Sequence, residues 1–104
     1  MAPAAPLELS LVIPAFNQRA RTAKSAQDAL RWLSDRFPER SELILVDDGS
    51  RSEETLTTAD ISPDVVLVRH ARNLGKGGAI RSGVARARGA YVVFTDSDLS
   101  LIHI

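Results

Sequence analysis

With 104 residues, the chain has room for one small domain and a modest core. Its 13 Lys and Arg residues balance 13 Asp and Glu, and its 44% apolar share is that of an ordinary globular protein, so the totals point to neither nucleic acid nor a membrane. Cysteine is absent, which excludes disulfides, zinc–thiolate centres and thiol nucleophiles and is compatible with a reducing cytosol.

Met1 to Pro6 has neither the basic region nor the apolar run of a leader and reads as a flexible tail. Leu9 to Ile13 follows as a near-continuous apolar run which, like the three later strand runs, has the pattern of a strand covered on both faces. Ala26, Leu30, Leu33 and Phe37 then fall on one side of a helix, which Pro38 stops. Leu43 to Val46 is a second strand. A second helix is expected from about Ser52, with Glu53 and Glu54 set against its dipole, and must end by Pro63. After a third strand, Val65 to Val68, a third helix from about Lys76 to Arg88 should bury Ile80, Val84 and Ala87 and stop at Gly89. Tyr91 to Thr95 is the fourth strand, and no stretch approaches the length of a membrane span. Strands alternating with helices define the α/β class: a parallel, doubly wound nucleotide-binding sheet with helices on both faces.

Parallel strands send their C-terminal ends to one edge, where open α/β sheets bind their ligands. The polar signals all lie there: Pro14-Ala15-Phe16-Asn17, Asp47-Asp48-Gly49-Ser50, the stretch from Arg69 to Lys76, and Asp96-Ser97-Asp98. Charge is segregated as well. Asp47, Asp48, Glu53, Glu54, Asp60 and Asp64 precede Arg69, Arg72, Lys76, Arg81, Arg86 and Arg88, which fits either two solvated faces or an anion site beside a metal site. Two carboxylates one residue apart, Asp96 and Asp98, can grip one Mg²⁺ or Mn²⁺, ions usually shared between carboxylates and substrate phosphates. The same spacing also occurs in exposed turns.

Gly75-Lys76-Gly77-Gly78 lacks the Ser or Thr of a P-loop, and it does not follow the first strand as a dinucleotide fingerprint would. Its glycines let backbone N–H groups approach an anion at a helix start, or they serve only as a flexible helix entry. His70 reads as a solvated loop residue, and Trp32 as a helix residue partly covering the sheet.

Taken together, Leu11 to Asn17, Leu43 to Ser50, Asn73 to Gly83 and Thr95 to Ser100 resemble family 2 glycosyltransferases of the GT-A fold. From Asn73 through Ser100 the chain is most similar to dolichyl-phosphate or polyprenyl-phosphate β-glucosyltransferases and their mannosyl relatives. The resemblance implies transfer of a hexose, with inversion, from UDP-glucose or GDP-mannose to a lipid phosphate at the cytoplasmic face of a membrane. It implies that Pro14, Ala15, Phe16, Asn17 and Gln18 wall the nucleotide pocket, with Phe16 beside the base where the family usually has Tyr. Gln18 stands where it usually has Glu. Asp48 would accept from the base, Asp47 would shape its turn, Lys76 would face the diphosphate, and Asp96, Ser97 and Asp98 would form the nucleotide-sugar and metal end.

Family members carry an acceptor-binding half after this region, and Leu101 to Ile104 does not resemble the proline-containing loop that usually follows. The chain is therefore expected to hold residues 7–104 of a donor-binding half, competent to bind donor but not to transfer sugar efficiently. Competing readings are a haloacid-dehalogenase-like phosphatase with Asp96 as nucleophile and Asp98 as acid, a receiver-like domain built on Asp47 and Asp48, and a non-catalytic nucleotide-binding fragment. A nucleic-acid groove is least favoured, since no stacking aromatics accompany Arg69 to Arg88.

Overall fold

The centre of the molecule is a pair of largely buried strands, β1 (Leu9–Ala15) and β2 (Ser41–Asp47), aligned in parallel from Leu9 beside Ser41 to Ala15 beside Asp47. In this computed structural model, which describes residues 7–96, β3 (Val66–Arg69) flanks β2 and β4 (Tyr91–Phe94) flanks β1. The sheet is all parallel, in the order β3-β2-β1-β4. The expected tail, Met1 to Pro6, lies outside the described residues.

Alternation along the central strands divides the core in two. Leu9, Leu11, Ile13, Leu43 and Leu45 face α1 (Arg19–Arg36), meeting Ala26, Ala29 and Leu33. Val12, Ile44 and Val46 face α2 (Lys76–Arg86), meeting Ala79. Trp32 packs at the edge of the first layer beside Phe37, with the Arg36 guanidinium 5.0 Å from its ring centre.

Three expectations are corrected. The segment from Ser52 is not an α-helix but two 3₁₀ turns, Ser52–Glu54 and Thr58–Asp60. Its two large apolar residues, Leu56 and Ile61, are five apart and make no helical stripe, and Leu56 is drawn into the core as its N–H donates to Asp47 Oδ2 at 3.1 Å. Glu54 then serves a different helix, accepting from the Arg19 N–H at the start of α1 at 2.9 Å.

The buried face of α2 is also displaced. Ala79 and Gly83 are buried, Ile80 and Ala87 are half-buried, and Val84 is 45% exposed. At Gly83 a Cβ would lie 2.3 Å from Val12 Cγ1, so the helix seats against the sheet through its smallest residues rather than its most apolar ones. Finally, only the central strands are covered on both faces. Tyr91 and Phe94 of β4 are 70% and 56% exposed.

Candidate functional site

The C-terminal strand ends meet at a cleft of about 410 Å³. Pro14, Ala15 and Phe16, where β1 runs out, line it together with Gln18. Asp48, just beyond β2, and Asn73 line it too, and Lys76 and Ala79 bring the first turn of α2 to it. Asp96, two residues past β4, completes the lining. Asp48 and Asp96 thus share one cleft although they follow different strands. Ser97 and Asp98 lie outside the described residues.

Two residues expected at the pocket have other engagements. Asn17 sits at a left-handed φ of 53° and ties loops together: its N–H donates to Ser50 Oγ at 2.9 Å, and its Oδ1 accepts from Arg51 N at 2.8 Å. Asp47 is fully buried and organises the turn after β2, with Oδ1 accepting from Ser50 N at 3.0 Å and Oδ2 from Leu56 N. Neither lines the cleft.

Asp48 is held from three directions. Oδ1 accepts from His70 Nδ1 at 2.7 Å and from Leu74 N at 2.9 Å, while Oδ2 accepts from Asn73 Nδ2 at 3.0 Å. Burial pushes this carboxyl up, but the bonds from His70 and from the Leu74 and Gly75 amides outweigh it and hold Asp48 below the ordinary carboxylate value, so it is an acceptor at neutral pH. The loop that supplies these donors lies directly on Gly49, at a φ of 77°, where a Cβ would come within 2.4 Å of the Arg72 carbonyl carbon. His70 is therefore not the solvated loop residue its sequence position suggested. Its imidazole is wedged between Asp48 and Ser82 Oγ, 2.7 Å from Nε2.

Two cations also line the cleft. Lys76 Nζ is 2.5 Å from Asp96 Oδ1. Arg21, from the first turns of α1, also lines the cleft and makes no ion pair among the described residues; its place in a helix that read as merely amphipathic gave no signal of this. Asp96 is the one described carboxylate with an exposed edge in the cleft, and an oxygen donor completed by substrate phosphates suits Mg²⁺ or Mn²⁺. Among the described residues no three acidic, His or Cys side chains converge as a complete metal site.

A carboxylate acceptor, two cations and the apolar Pro14, Ala15 and Phe16 thus share one cleft at the carboxyl edge of a parallel sheet, the edge at which open α/β proteins bind their ligands. The sequence model described as glycosyl transferase family 2 matches residues 10–102, and the chain belongs to that family. It is 34% identical over 98 residues to dolichyl-phosphate beta-glucosyltransferase of Saccharomyces cerevisiae, covering 86% of this chain and 29% of that protein. The enzymes of the same name from Dictyostelium discoideum (33% identity, 86% of this chain and 30% of that one) and Homo sapiens (32%, 88% and 31%) are similar to it as well. The chain thus spans about three tenths of the length of these curated relatives.

Its fold is similar to that of the mannosyltransferase PcManGT from Pyrobaculum calidifontis, solved in complex with GDP-Man and Mn²⁺. The TM-score is 0.66 at 22% identity, over 90% of this chain and 30% of that one. S. aureus TarS 1-349 gives 0.65 at 24% identity, over 88% and 28%. These likenesses fit the GT-A architecture and give no support to the phosphatase or receiver readings.

Proposed function

We propose that this chain is the donor-binding part of a family 2 hexosyltransferase that carries glucose from a nucleotide diphosphate sugar to dolichyl phosphate or a similar polyprenyl phosphate. The observation that carries the reading is the shared cleft, which holds a braced carboxylate acceptor at Asp48 together with the Lys76–Asp96 pair. Asp48 would accept the N–H edge of the base, Phe16 would cover the base, and Lys76, Arg21 and the first amides of α2 would hold the diphosphate.

Asp96 would hold the divalent cation, with Asp98 as its partner in the sequence motif. A bound Mg²⁺ or Mn²⁺ supplies neutralisation of charge on the departing diphosphate. A lipid phosphate brings its own nucleophilic oxygen, largely dianionic at neutral pH with a second pKa near ~6, so the chain need supply no strong base. Such an acceptor places the working protein at a membrane face. No helix among the described residues is long and apolar enough to cross one.

Titration calorimetry with UDP and GDP, each with and without Mn²⁺, tests the reading. The expected result is binding that strengthens with Mn²⁺ and loses that enhancement in Asp96→Asn. Nucleotide binding indifferent to Mn²⁺ in the parent protein would overturn it.

A further inference from the structure

Asp48, His70 and Ser82 form a continuous chain of hydrogen bonds, 2.7 Å from Oδ1 to Nδ1 and 2.7 Å from Nε2 to Oγ. The order acid, imidazole, hydroxyl is that of a nucleophilic relay, but the accessible member is the wrong one. In a relay the hydroxyl faces the substrate and the acid is hidden. Here Ser82 does not line the cleft, whereas Asp48 does. The chain therefore delivers its constraint toward Asp48.

We propose that His70 is a positioning residue that fixes the Asp48 carboxylate for reading the base of the donor nucleotide, with Ser82 anchoring the imidazole to α2. This rests on the donor-binding function proposed above. An ionised Asp48 can only accept, which assigns the proton to Nδ1 and directs the imidazole as donor toward Oδ1. Leu74 N ends on that same oxygen, so Oδ1 is occupied and Oδ2, which carries one bond from Asn73, keeps acceptor capacity for a ligand.

Without the imidazole, Asp48 would keep donors only from the 73–75 segment. Nothing from α2 would then brace it. The β2–β3 register supplies the geometry: Asp47 pairs with Arg69, so the next residue of each chain, Asp48 and His70, emerge side by side at the cleft edge.

The two nitrogens of the ring can be tested separately, because an Asn amide reaches the Nδ1 position and a Gln amide reaches toward Nε2. His70→Asn, His70→Gln and His70→Phe are compared with the parent protein by calorimetry against UDP, GDP and inorganic pyrophosphate in Mn²⁺. A hydrogen bond to a charged group is worth enough to expect a loss of roughly tenfold or more in nucleotide affinity for His70→Phe and His70→Gln. His70→Asn should stay within about threefold of the parent, as expected when the donor to Oδ1 is retained. Pyrophosphate, which has no base, should bind all four proteins alike.

Equal nucleotide affinity in His70→Phe and His70→Asn, whether both retained or both lost, would overturn the proposal. So would a parallel loss of pyrophosphate, the mark of general disruption of the cleft. Failure of the parent protein itself to bind nucleotide would instead strike the functional reading, and this proposal with it. Ser82→Ala gives a second line of evidence: a smaller loss, of about threefold, for nucleotides and none for pyrophosphate.

Discussion

Gly83 offers the sharpest test of how α2 reaches the site. A glycine inside a helix ordinarily costs about 1 kcal/mol against alanine, so Gly83→Ala considered on the helix alone should stabilise by that amount. The structure reverses the sign. The added Cβ would stand 2.3 Å from Val12 Cγ1 and 3.2 Å from Val46 Cγ2, and both valines are fully buried in central strands. A β-branched side chain in a strand has little rotameric freedom, so α2 must lift or the strand must shift. Overpacking of this kind costs roughly 1–3 kcal/mol, and so close a contact with such stiff neighbours belongs in the upper half of that range.

After the helix gain is subtracted, Gly83→Ala should lose about 1–2 kcal/mol. At about 4–8 °C for each kcal/mol in a domain near this size, the melting temperature should fall by roughly 5–15 °C. Thermal and urea unfolding followed by circular dichroism measure both quantities. Val12→Ala, which removes the offending methyl, should make the double variant more stable than additivity allows, by about 1 kcal/mol or more. A melting temperature unchanged or raised in Gly83→Ala, or strict additivity with Val12→Ala, would refute the close-packing argument.

Three further outcomes are expected. Arg21→Ala should weaken diphosphate binding by about three- to tenfold, as loss of one charge-assisted contact requires, and should flatten the dependence of affinity on salt measured by calorimetry. Asp60 is held at about 2 by hydrogen bonds from the Arg19 side chain and the Thr57 N–H. Its stabilisation is therefore present above about pH 3.8 and disappears as pH falls toward about 2, so Asp60→Asn should lose stability at pH 6 yet approach the parent in acid unfolding curves near pH 2. Glu54→Ala should unfold more readily by about 1 kcal/mol in urea, because the Arg19 amide loses its long-range acceptor.

The strands were legible because apolar runs bounded by polar clusters have few other uses, yet β2 extends past its apolar stretch at both ends. Ser41 and Glu42 belong to it because Glu42 is buried with partners, Ser10 Oγ at 2.6 Å and Arg88 N at 2.7 Å, that lie far away in sequence. The packing face of α2 was misread for a different reason. Apolarity ranks Ile80 and Val84 above Gly83, whereas a helix seated closely on a sheet selects for small size. The phantom second helix came from a good local capping pattern without the apolar stripe that would make a helix stable through packing. His70 was hidden because no local pattern marks it; only the parallel register, which sets it beside Asp48, could have raised it.

The same register accounts for the segregation of charge. Half of the acidic segment is committed to holding the fold: Asp47, buried, to the turn amides and, at 3.8 Å, to Arg69; Glu54 and Asp60, nearer the surface, to Arg19. Asp48 alone combines an inward set of donors with a place on the cleft. These carboxylates therefore cannot act as a pooled acidic surface, and a metal would find its exposed donor at Asp96 instead. Charges of one sign adjacent in sequence thus divide into fold-holding and ligand-facing groups according to which strand end supplies their hydrogen-bond donors. Exchange of Asp47 for Asn should accordingly disturb stability before nucleotide affinity, whereas Asp48→Asn should disturb nucleotide affinity first. Unfolding curves and calorimetry on the two variants separate the cases, and identical profiles for both would show that the division does not hold.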